Sequence, residues 1–367
     1  MNFNFDRDAL LKEISIAQEI ISTKNAISIL SNVLLEAADN TLKIRATDIK
    51  MNFETSIPVE VIEPGSTTVF CDKFSGILSS LPSGEINFSQ DNIRINIRPA
   101  SKRANFQLKS IASDKFPEFT SAEGVSFFDI PVRDLKKMIS HTIFSVSDDE
   151  LRYFMNGVFI EKEEQKLKMV ATDGRRLAFI SNDMDFLLPD FKGAIVPTKI
   201  LNIVSKRSPD EGSVSVGIGE KNIFFRFGNY EFSSLLIDGQ FPNYNRVIPE
   251  SQSHSFQINR RELMEALKRV ALLVEQKSRR IYLNISSGTL TISSQETEIG
   301  AANEEIACRY DGENVTIALN YIYLEEPLKV MDSEDLKVEF TEPMKAITMK
   351  AEPEENFFHI IMPMQME

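Results

Sequence analysis

Ala171-Thr172-Asp173-Gly174-Arg175-Arg176-Leu177-Ala178 is the stretch from which the fold of this chain can be worked out. A shorter echo, Ala46-Thr47-Asp48, stands 125 residues earlier, since 171 minus 46 is 125. Each copy follows a run of alternating apolar and polar residues, at 42–45 and at 167–170. Such alternation is typical of a half-buried β-strand. The spacing therefore predicts a repeat about one domain long.

The same offset recurs elsewhere in the chain. Phe116-Pro117-Glu118-Phe119 corresponds to Phe241-Pro242-Asn243-Tyr244, again 125 residues on. Three similar openings, Phe3-Asn4-Phe5, Phe128-Asp129-Ile130 and Phe256-Gln257-Ile258, each run into a helix-like pattern of apolar residues. Because these matches occur in the same order, we expect three related domains in series, at residues 1–121, 124–246 and 250–367.

Length and composition limit the class of protein. A chain of 367 residues suggests two or three domains, and 42% hydrophobic residues are ample for globular cores. No apolar run approaches the roughly 20 residues of a membrane span, and the N-terminus lacks a signal-peptide pattern, so we expect a cytoplasmic protein. Cys71 and Cys308 lie in different repeats, which argues against a disulfide framework. The three histidines show no ligand spacing, so no metal or other cofactor is expected.

The formal net charge of −13 would ordinarily argue against a nucleic-acid partner. Charge is unevenly distributed, however, because residues 260–280 hold seven basic and three acidic residues, a local balance of +4 that leaves −17 for the remainder. Smaller basic sets occur at Lys136-Lys137 and at Lys199, Lys206 and Arg207. Each set could be a solvated helix face. Their recurrence on helices of successive repeats favours a common basic surface.

The order of predicted elements indicates an α+β fold with mostly antiparallel sheets, because hairpin-length links join the strands. Helices are predicted at residues 7–22, 72–81, 132–144, 198–206, 260–273 and 321–330. Each repeat therefore has two helices, and two chains would supply twelve. Twelve helices packed side by side would trace a circle on the order of 34 Å across. A ring of that size could admit duplex DNA after the thickness of the helices is subtracted.

Three stretches carry a specific resemblance. Residues 170–177, the run Asp238-Gly239-Gln240-Phe241-Pro242-Asn243-Tyr244-Asn245-Arg246-Val247-Ile248-Pro249, and the terminal His359-Ile360-Ile361-Met362-Pro363-Met364 resemble the bacterial DNA polymerase III β subunit family, the sliding clamps. The resemblance extends over the whole chain. It implies a DNA clamp fold, with helices lining a ring formed by a head-to-tail homodimer around double-stranded DNA. The implied function is that of a non-enzymatic processivity factor that tethers the replicative polymerase.

The resemblance also implies where two copies meet. It places Phe106 and Leu108 of repeat one against Leu272 and Leu273 of repeat three. Phe106 and Leu108 alternate on what should be an edge strand, and an open edge needs covering. The alternative is that all four are ordinary core residues.

A hydrophobic pocket between repeats two and three is implied as the docking site for short peptides of the replicative polymerase, the clamp loader, repair polymerases and other partners. Its residues by matching position are Met155, Thr172, Gly174, Arg175, Arg176, Leu177, Pro242, Arg246, Val247, Asn320, Tyr323, Met344, Ala346, Ile360, Met362, Pro363 and Met364. Flexible methionines suit an adaptable apolar groove. Many family members have His where Arg175 stands, and smaller or more polar residues at Met344 and Ala346, so the peptide preference is open.

The DNA contacts implied by position are Lys24, Lys73, Arg152, Tyr153, Lys199, Lys206, Lys277, Arg279 and Arg280. Lysine and arginine attract phosphates without reading bases, which gives sequence-independent binding. An acidic exterior would discourage DNA from binding elsewhere.

Two other classes of function compete with the clamp. In a metal-dependent enzyme acting on nucleic acid, Asp48, Asp173 or the cluster Ser147-Asp148-Asp149-Glu150 could hold a cation. An Asp in an Ala-Thr-Asp turn can instead bond backbone amides, and the cluster can be a solvated loop. Gly217-Ile218-Gly219-Glu220-Lys221 lacks the spacing of a phosphate loop and fits a hairpin turn. The other class is a protein-binding scaffold that never touches DNA.

Overall fold

The structure is a computed structural model that describes residues 1–21 and 28–366, and it confirms the predicted α+β fold built of three repeats. In repeat one, a strand and a helix precede a run of strands, a second helix and three further strands. The elements are β1 (Asn2–Asp6), α1 (Arg7–Ile20), β2 (Asn32–Ala38), β3 (Thr41–Thr47), β4 (Met51–Pro58), β5 (Glu60–Glu63), β6 (Gly65–Phe70), α2 (Cys71–Ser80), β7 (Glu85–Asp91), β8 (Arg94–Pro99) and β9 (Phe106–Lys109).

Repeats two and three follow the same order without a counterpart of β5. Repeat two contains β10 (Phe127–Pro131), α3 (Val132–Ser140), β11 (Gly157–Glu163), β12 (Lys166–Thr172), β13 (Arg176–Asp183), β14 (Ala194–Pro197), α4 (Thr198–Arg207), β15 (Ser213–Ile218), β16 (Asn222–Phe227) and β17 (Tyr230–Leu235). Repeat three contains β18 (His254–Asn259), α5 (Arg260–Val270), β19 (Arg280–Ser286), β20 (Thr289–Ser294), β21 (Asn303–Ala307), β22 (Val315–Asn320), α6 (Tyr321–Val330), β23 (Asp335–Phe340), β24 (Ile347–Glu352) and β25 (Phe357–Ile361).

Two predicted helices are shorter than expected, and two strands were missed. Helix α3 ends at Ser140, and α5 ends at Val270 before a 3-10 turn over Ala271–Leu273. Helix α1 ends at Ile20, while Ser22, its predicted last residue, lies outside the described residues. Strands β5 and β14 each have only four residues. Neither sequence alternates between apolar and polar residues, so the pattern search had no signal for them.

The sheets are shared between consecutive repeats. One eight-stranded sheet has the order β10-β15-β16-β17-β4-β3-β2-β6, and the other has the order β18-β23-β24-β25-β13-β12-β11-β14. The two orders correspond strand for strand. In each sheet, antiparallel pairing joins two repeats, at β17 with β4 and at β25 with β13. We call the β4–β17 pairing the first junction and the β13–β25 pairing the second junction.

Sharing of sheets also explains how the described residues divide into compact units. One unit comprises those within Met1–Val132 and Lys199–Leu236, and the other those within Arg133–Thr198 and Ile237–Glu367. The first junction and its sheet belong to the first unit. The second junction belongs to the second unit. Repeat two is thus divided between the units, because each of its halves completes a sheet with a different neighbour.

The two Ala-Thr-Asp loops fold in the same way. In the second, the Thr172 hydroxyl donates to the carbonyl of Arg176 at 2.6 Å and accepts from the amide of Gly174 at 3.0 Å. The Asp173 carboxylate accepts from the amides of Arg175 and Arg176. In the first loop, the Thr47 hydroxyl donates to the carbonyl of Met51 and accepts from the amide of Ile49. The Asp48 carboxylate accepts from the amides of Lys50 and Met51. The predicted structural role of both aspartates is confirmed.

One position differs between the two loops, and the backbone there is strained in the first loop. Gly174 has a φ of 86°, in the left-handed region where glycine has no steric penalty. Its counterpart Ile49 has a φ of 79° although it is β-branched. The Ile49 side chain is 57% exposed, so burial offsets little of this backbone strain.

Replacing Ile49 with glycine should therefore raise the free energy of unfolding by about 1 kcal/mol, since relief of strain outweighs the added entropy of the unfolded chain. The midpoint of urea unfolding measures the change. Ile62 is a matched control because it is 56% exposed and lies in strand β5 of the same repeat, outside the left-handed region. Ile62→Gly should destabilise. A lower midpoint for Ile49→Gly would contradict the argument from strain.

Candidate functional site

The second junction has an apolar floor. Val170, Leu177 and Ile360 form a buried cluster with Ile195, Phe241 and Tyr244. Leu177 and Ile360 are direct partners across the β13–β25 pairing, which explains why their side chains meet on one face of the sheet. Ala346 packs against the same cluster. Three residues of the predicted pocket, Leu177, Ile360 and Ala346, are thus brought together.

Exposed apolar side chains accompany this floor. Val247, Met344 and Met362 are each about half exposed, although they are large hydrophobic residues. The amide of Val247 donates to the carbonyl of Tyr244, and the amide of Met362 donates to the carbonyl of Arg175 at 2.8 Å. These bonds hold Val247 and Met362 close to the floor residues. A patch of exposed apolar side chains beside a buried apolar floor can accept apolar side chains of a partner.

Arg176 precedes Leu177 in strand β13 and is a buried cation, with only 8% of it exposed. Its Nε donates to Asp173 Oδ2 at 3.0 Å, Nη1 donates to the carboxylate of Glu326, and Nη2 donates to the carbonyl of Phe144. The guanidinium carbon also lies 4.5 Å from the centre of the Tyr323 ring. All three guanidinium nitrogens therefore have protein partners. This network holds the Arg176 guanidinium against the Tyr323 ring, and the contact of Arg176 with a bound peptide stays a prediction.

His359 lies beneath the same region and is completely buried. Its Nε2 is 3.1 Å from the carbonyl oxygen of Tyr323, so the ring donates there as a neutral imidazole. Burial, and secondarily the charge of Arg176, lower the pKa of His359 to about 3. Burial also raises the pKa of the Tyr323 hydroxyl. His359 therefore stays uncharged at neutral pH.

The other pocket residues differ in burial and in their hydrogen bonds. Asn320 caps α6 by accepting from the amide of Ile322, which places it one turn from Tyr323. Met364 is held by its amide, which donates to the carbonyl of Ala318. Met155 is buried. Pro242 and Pro363 are half-buried and Arg246 is exposed. Among the described residues, the apolar cluster around Leu177 and Ile360 does not include Met155, Pro242 or Arg246.

The predicted DNA contacts do not share one environment. Lys199 Nζ donates to the carbonyl of Ile20 at 2.8 Å and pairs with Asp48 at 3.0 Å. Lys206 pairs with Glu19 at 2.6 Å, Arg152 with Asp149 at 2.8 Å, and Lys73 with Asp72 at 3.6 Å. Tyr153, Lys277 and Arg279 are exposed, whereas Arg280 is 9% exposed. Lys24 lies outside the described residues.

The acidic candidates for a metal site have structural roles. Asp149 accepts from the amide of Leu151, and the hydrogen bond from Arg152 lowers the pKa of its carboxyl group. Among residues 1–21 and 28–366, no group of three or more His, Cys, Asp or Glu side chains could hold a metal ion.

Gly217–Lys221 includes the turn between β15 and β16, as the hairpin interpretation requires. Cys71 and Cys308 are free and buried.

Sequence reasoning missed several residues around the second junction. Phe241 and Tyr244 were used as markers of the repeat, but their place in the apolar floor was not predicted. Glu326 and Phe144 were missed as partners of Arg176, since nothing in their spacing links them to residue 176. The position of His359 between Phe358 and Ile360 was the only sequence signal for its burial.

Comparison with known proteins identifies the family. Models of the DNA polymerase III beta subunit match in three consecutive stretches, with its N-terminal domain at residues 1–120, its central domain at 129–243 and its C-terminal domain at 245–365. The beta sliding clamp of Treponema pallidum is 53% identical over 366 residues and covers 99% of both chains. The beta sliding clamp of Escherichia coli K12 is 30% identical over 369 residues, 100% of both chains.

Solved structures agree with this comparison. The sliding clamp of Bacillus subtilis has a TM-score of 0.96 at 27% identity, over 100% of both chains. The Pseudomonas aeruginosa clamp bound to griselimycin has a TM-score of 0.94 at 30% identity, also over 100% of both chains. The three repeats and their shared sheets thus define a DNA clamp.

The chain belongs to the DNA polymerase III beta subunit family, the beta sliding clamps. It is a processivity factor of DNA replication, and the family is non-enzymatic. DNA and DNA polymerase are the partners that this family implies. Membership of this family excludes both alternatives, a metal-dependent enzyme and a scaffold that never touches DNA. No helix among the described residues is long and apolar enough to cross a membrane.

Proposed function

We propose that two copies of this chain associate head to tail into a closed ring around duplex DNA and tether the polymerase to its template. The observation that carries the proposal is a pair of open sheet edges. Strand β9 ends the repeat-one sheet β5-β1-β7-β8-β9, and strand β21 ends the repeat-three sheet β21-β20-β19-β22.

The two open edges are topologically equivalent to strands that are paired elsewhere in the chain. Strand β9 corresponds to β17 and β25, since each is the last strand of its repeat. Strand β21 corresponds to β4 and β13. Because β17 pairs with β4 and β25 pairs with β13, pairing of β9 with β21 of a second copy would repeat the same antiparallel contact. Two such contacts would close a dimer through heterologous interfaces.

Apolar side chains near these edges support the proposal. Leu272, which follows α5, is 81% exposed, and Leu273 beside it is half-buried. Phe106 and Leu108 on β9 are half-buried rather than core residues. Ile93 and Ile299 are also exposed, and the carbonyl of Ile93 accepts from the amide of Ser110 just after β9. Covering them would remove apolar surface from water and protect two strand edges.

The proposed DNA contacts are non-specific and easily exchanged. Lys277 and Arg279 are the strongest candidates in repeat three because they are exposed, while the burial of Arg280 leaves little of its side chain for a phosphate. Lys24, Lys73, Arg152, Tyr153, Lys199 and Lys206 remain in the proposal. Basic side chains that bind phosphates without reading bases would let the ring slide. We place this activity in the cytoplasm, at the nucleoid.

The second junction is the proposed docking site for peptides of the replicative polymerase, the clamp loader and repair polymerases. Its support is the buried Leu177–Ile360 floor with Val247, Met344 and Met362 half exposed beside it. Such a surface suits apolar anchors within a short peptide. We also propose that this chain binds griselimycin, since the P. aeruginosa clamp binds that compound. The apolar floor of the second junction is the site that we propose for it. Docking keeps a dissociated polymerase at high effective concentration near the primer end.

Retention on DNA tests the ring. After loading, the protein should stay on circular DNA and be lost from linear DNA of the same length, because only a free end lets a closed ring escape. Gel filtration of labelled protein with each DNA form measures retention. Double charge reversal, Lys277→Glu with Arg279→Glu, should reduce loading or sliding by removing phosphate attraction. Equal retention on circular and linear DNA would overturn the proposal.

Leu272→Asp should weaken the dimer on the order of a hundredfold, because the new carboxylate would be desolvated against the partner copy. Light scattering at micromolar concentration should then give the mass of one chain instead of two. Leu187→Asp is a matched control, since Leu187 is 78% exposed and lies on neither open edge. That variant should remain dimeric. If Leu272→Asp is as dimeric as its control, the proposed interface is wrong.

A further inference from the structure

The first and second junctions share their backbone but differ in the chemistry of one face. Thr47 corresponds to Thr172 in the Ala-Thr-Asp loops, and strand pairing then fixes the other equivalent positions. Thr47 pairs with Asn52 as Thr172 pairs with Leu177. Asn52 in turn pairs with Ser233, as Leu177 pairs with Ile360. A backbone hydrogen bond two residues further on is also repeated. The amide of Leu235 donates to the carbonyl of Lys50 at 2.7 Å, and the equivalent amide of Met362 donates to the carbonyl of Arg175.

Five equivalent positions are apolar at the second junction and polar at the first. The second junction has Val170, Leu177, Phe179, Phe358 and Ile360, and these residues belong to its apolar cluster or pack against it. The same positions at the first junction hold Arg45, Asn52, Glu54, Glu231 and Ser233. One face of the sheet has therefore changed from apolar to polar while its pairing stayed the same.

The polar side chains at the first junction have partners of their own. Asn52 Nδ2 donates to Ser233 Oγ at 3.0 Å, and the Thr47 hydroxyl, which Asn52 shares with the carbonyl of Met51, lies 2.6 Å from Asn52 Oδ1. Arg45 donates to Glu54 at 2.6 Å. Asn52 and Ser233 are both buried. These polar side chains therefore have hydrogen-bond partners within the chain and do not need a ligand to supply them.

An apolar side chain placed on this face would gain little. It would meet the polar Asn52 and Ser233 where the second junction has Leu177 and Ile360, and it would remove water from the partly exposed Arg45–Glu54 ion pair. Glu231, which pairs with Arg226 at 2.8 Å, would be desolvated as well. At the second junction the same side chain would contact Leu177 and Ile360 and displace water from apolar surface.

We propose that the polar face formed by Asn52, Ser233, Arg45, Glu54 and Glu231 determines specificity by excluding apolar peptides from the first junction, so that each chain has one docking site although its fold repeats the site's backbone. The inference rests on the proposed docking function of the second junction. It assigns selectivity between the two junctions to the chemistry of paired residues rather than to a difference in backbone.

Calorimetric titration with griselimycin tests this assignment. The parent protein should bind one molecule per chain. Leu177→Asn with Ile360→Ser should lower the affinity at least about tenfold, because the polar pair replaces the apolar floor. The five-residue exchange Arg45→Val, Asn52→Leu, Glu54→Phe, Glu231→Phe and Ser233→Ile, which gives the first junction the residues of the second, should leave the first binding event unchanged and add a second, so that two molecules bind per chain. Circular dichroism and the urea midpoint establish that each variant is folded.

Asn52→Ala with Ser233→Ala is the control, since it removes the polar groups without building a floor and should keep one molecule per chain. Two molecules per parent chain, or a folded five-residue variant that still binds one, would overturn the inference. Unchanged affinity in the Leu177→Asn/Ile360→Ser variant would do the same even if the five-residue variant of the first junction failed to fold. A parent protein that binds no griselimycin overturns the docking proposal itself, and this inference with it.

Discussion

Replacing Arg176 with methionine is expected to lower the free energy of unfolding by about 3 kcal/mol. The guanidinium is buried and bonded to Asp173, Glu326 and the carbonyl of Phe144, so its removal leaves two carboxylates without their cation. Asp173 and Glu326 are themselves only partly exposed, which keeps water from replacing Arg176 fully. The contact with the Tyr323 ring is lost as well. Urea unfolding followed by circular dichroism measures the difference.

Methionine is the informative substitute because the first junction uses Met51 at the equivalent position, where it is buried. The side chain therefore fits the backbone, and the loss reports on charge rather than on space. Glu326→Gln in the Arg176→Met background should recover part of the loss, since a neutral amide costs less to leave unpaired than a carboxylate. This double-variant cycle separates the orphaned charge from the lost packing.

Arg261→Met is the control for a surface ion pair. Arg261 lies 3.1 Å from Glu265 one helical turn away, and its side chain is well exposed. Exposed pairs of this kind contribute about 0.3–0.5 kcal/mol. A loss for Arg176→Met no larger than that for Arg261→Met would contradict the view that burial makes the Arg176 network strong.

The repeat was predictable because its markers are local. Ala46-Thr47-Asp48 and Ala171-Thr172-Asp173 recur with the turn chemistry that they need, and both loops have the predicted hydrogen bonds. The alternating runs at 42–45 and 167–170 likewise lie within the observed strands β3 and β12. These features depend on short-range periodicity and turn residues, which a single sequence displays directly.

Features that depend on distant residues were less predictable. Pairing of β13 with β25 brings residue 177 beside residue 360, and no local pattern contains that information. The resemblance to clamps supplied most pocket positions, but it gave Arg176 and Leu177 the same role. Their contacts in the structure differ, because Leu177 lies in the apolar floor while all three guanidinium nitrogens of Arg176 donate hydrogen bonds within the chain. Likewise, exposure could not be predicted for Arg280, which is basic yet buried.

The first junction illustrates why a repeat does not guarantee a repeated function. Pairing depends on backbone hydrogen bonds, which are indifferent to whether residue 52 is Asn or Leu. Ligand binding depends on the side chains of one face, which can change without altering the pairing. A sequence search that recognises the repeat therefore predicts the sheet at both junctions. The polar face at Asn52 and Ser233 distinguishes them.

Lowering the pH from 7 to 5 should cost the second unit about 2 kcal/mol of stability through His359 alone. Burial foremost, and then the charge of Arg176, lower the pKa of His359 to about 3 in the folded protein, against about 6.5 in the unfolded chain. The unfolded state therefore binds a proton in this window while the folded state does not. The stabilisation is fully present above pH 6.5 and is lost as the pH falls toward 3.

His359→Gln removes this titration, and an amide can still donate to the carbonyl of Tyr323. The difference in unfolding free energy between parent and variant should shrink by about 2 kcal/mol from pH 7 to pH 5. Taking the difference cancels His141, whose pKa burial also lowers, and Glu13, whose pKa burial raises. Urea unfolding at intervals of half a pH unit measures it. A difference independent of pH would mean that His359 protonates within the folded protein, which its complete burial beside Arg176 argues against.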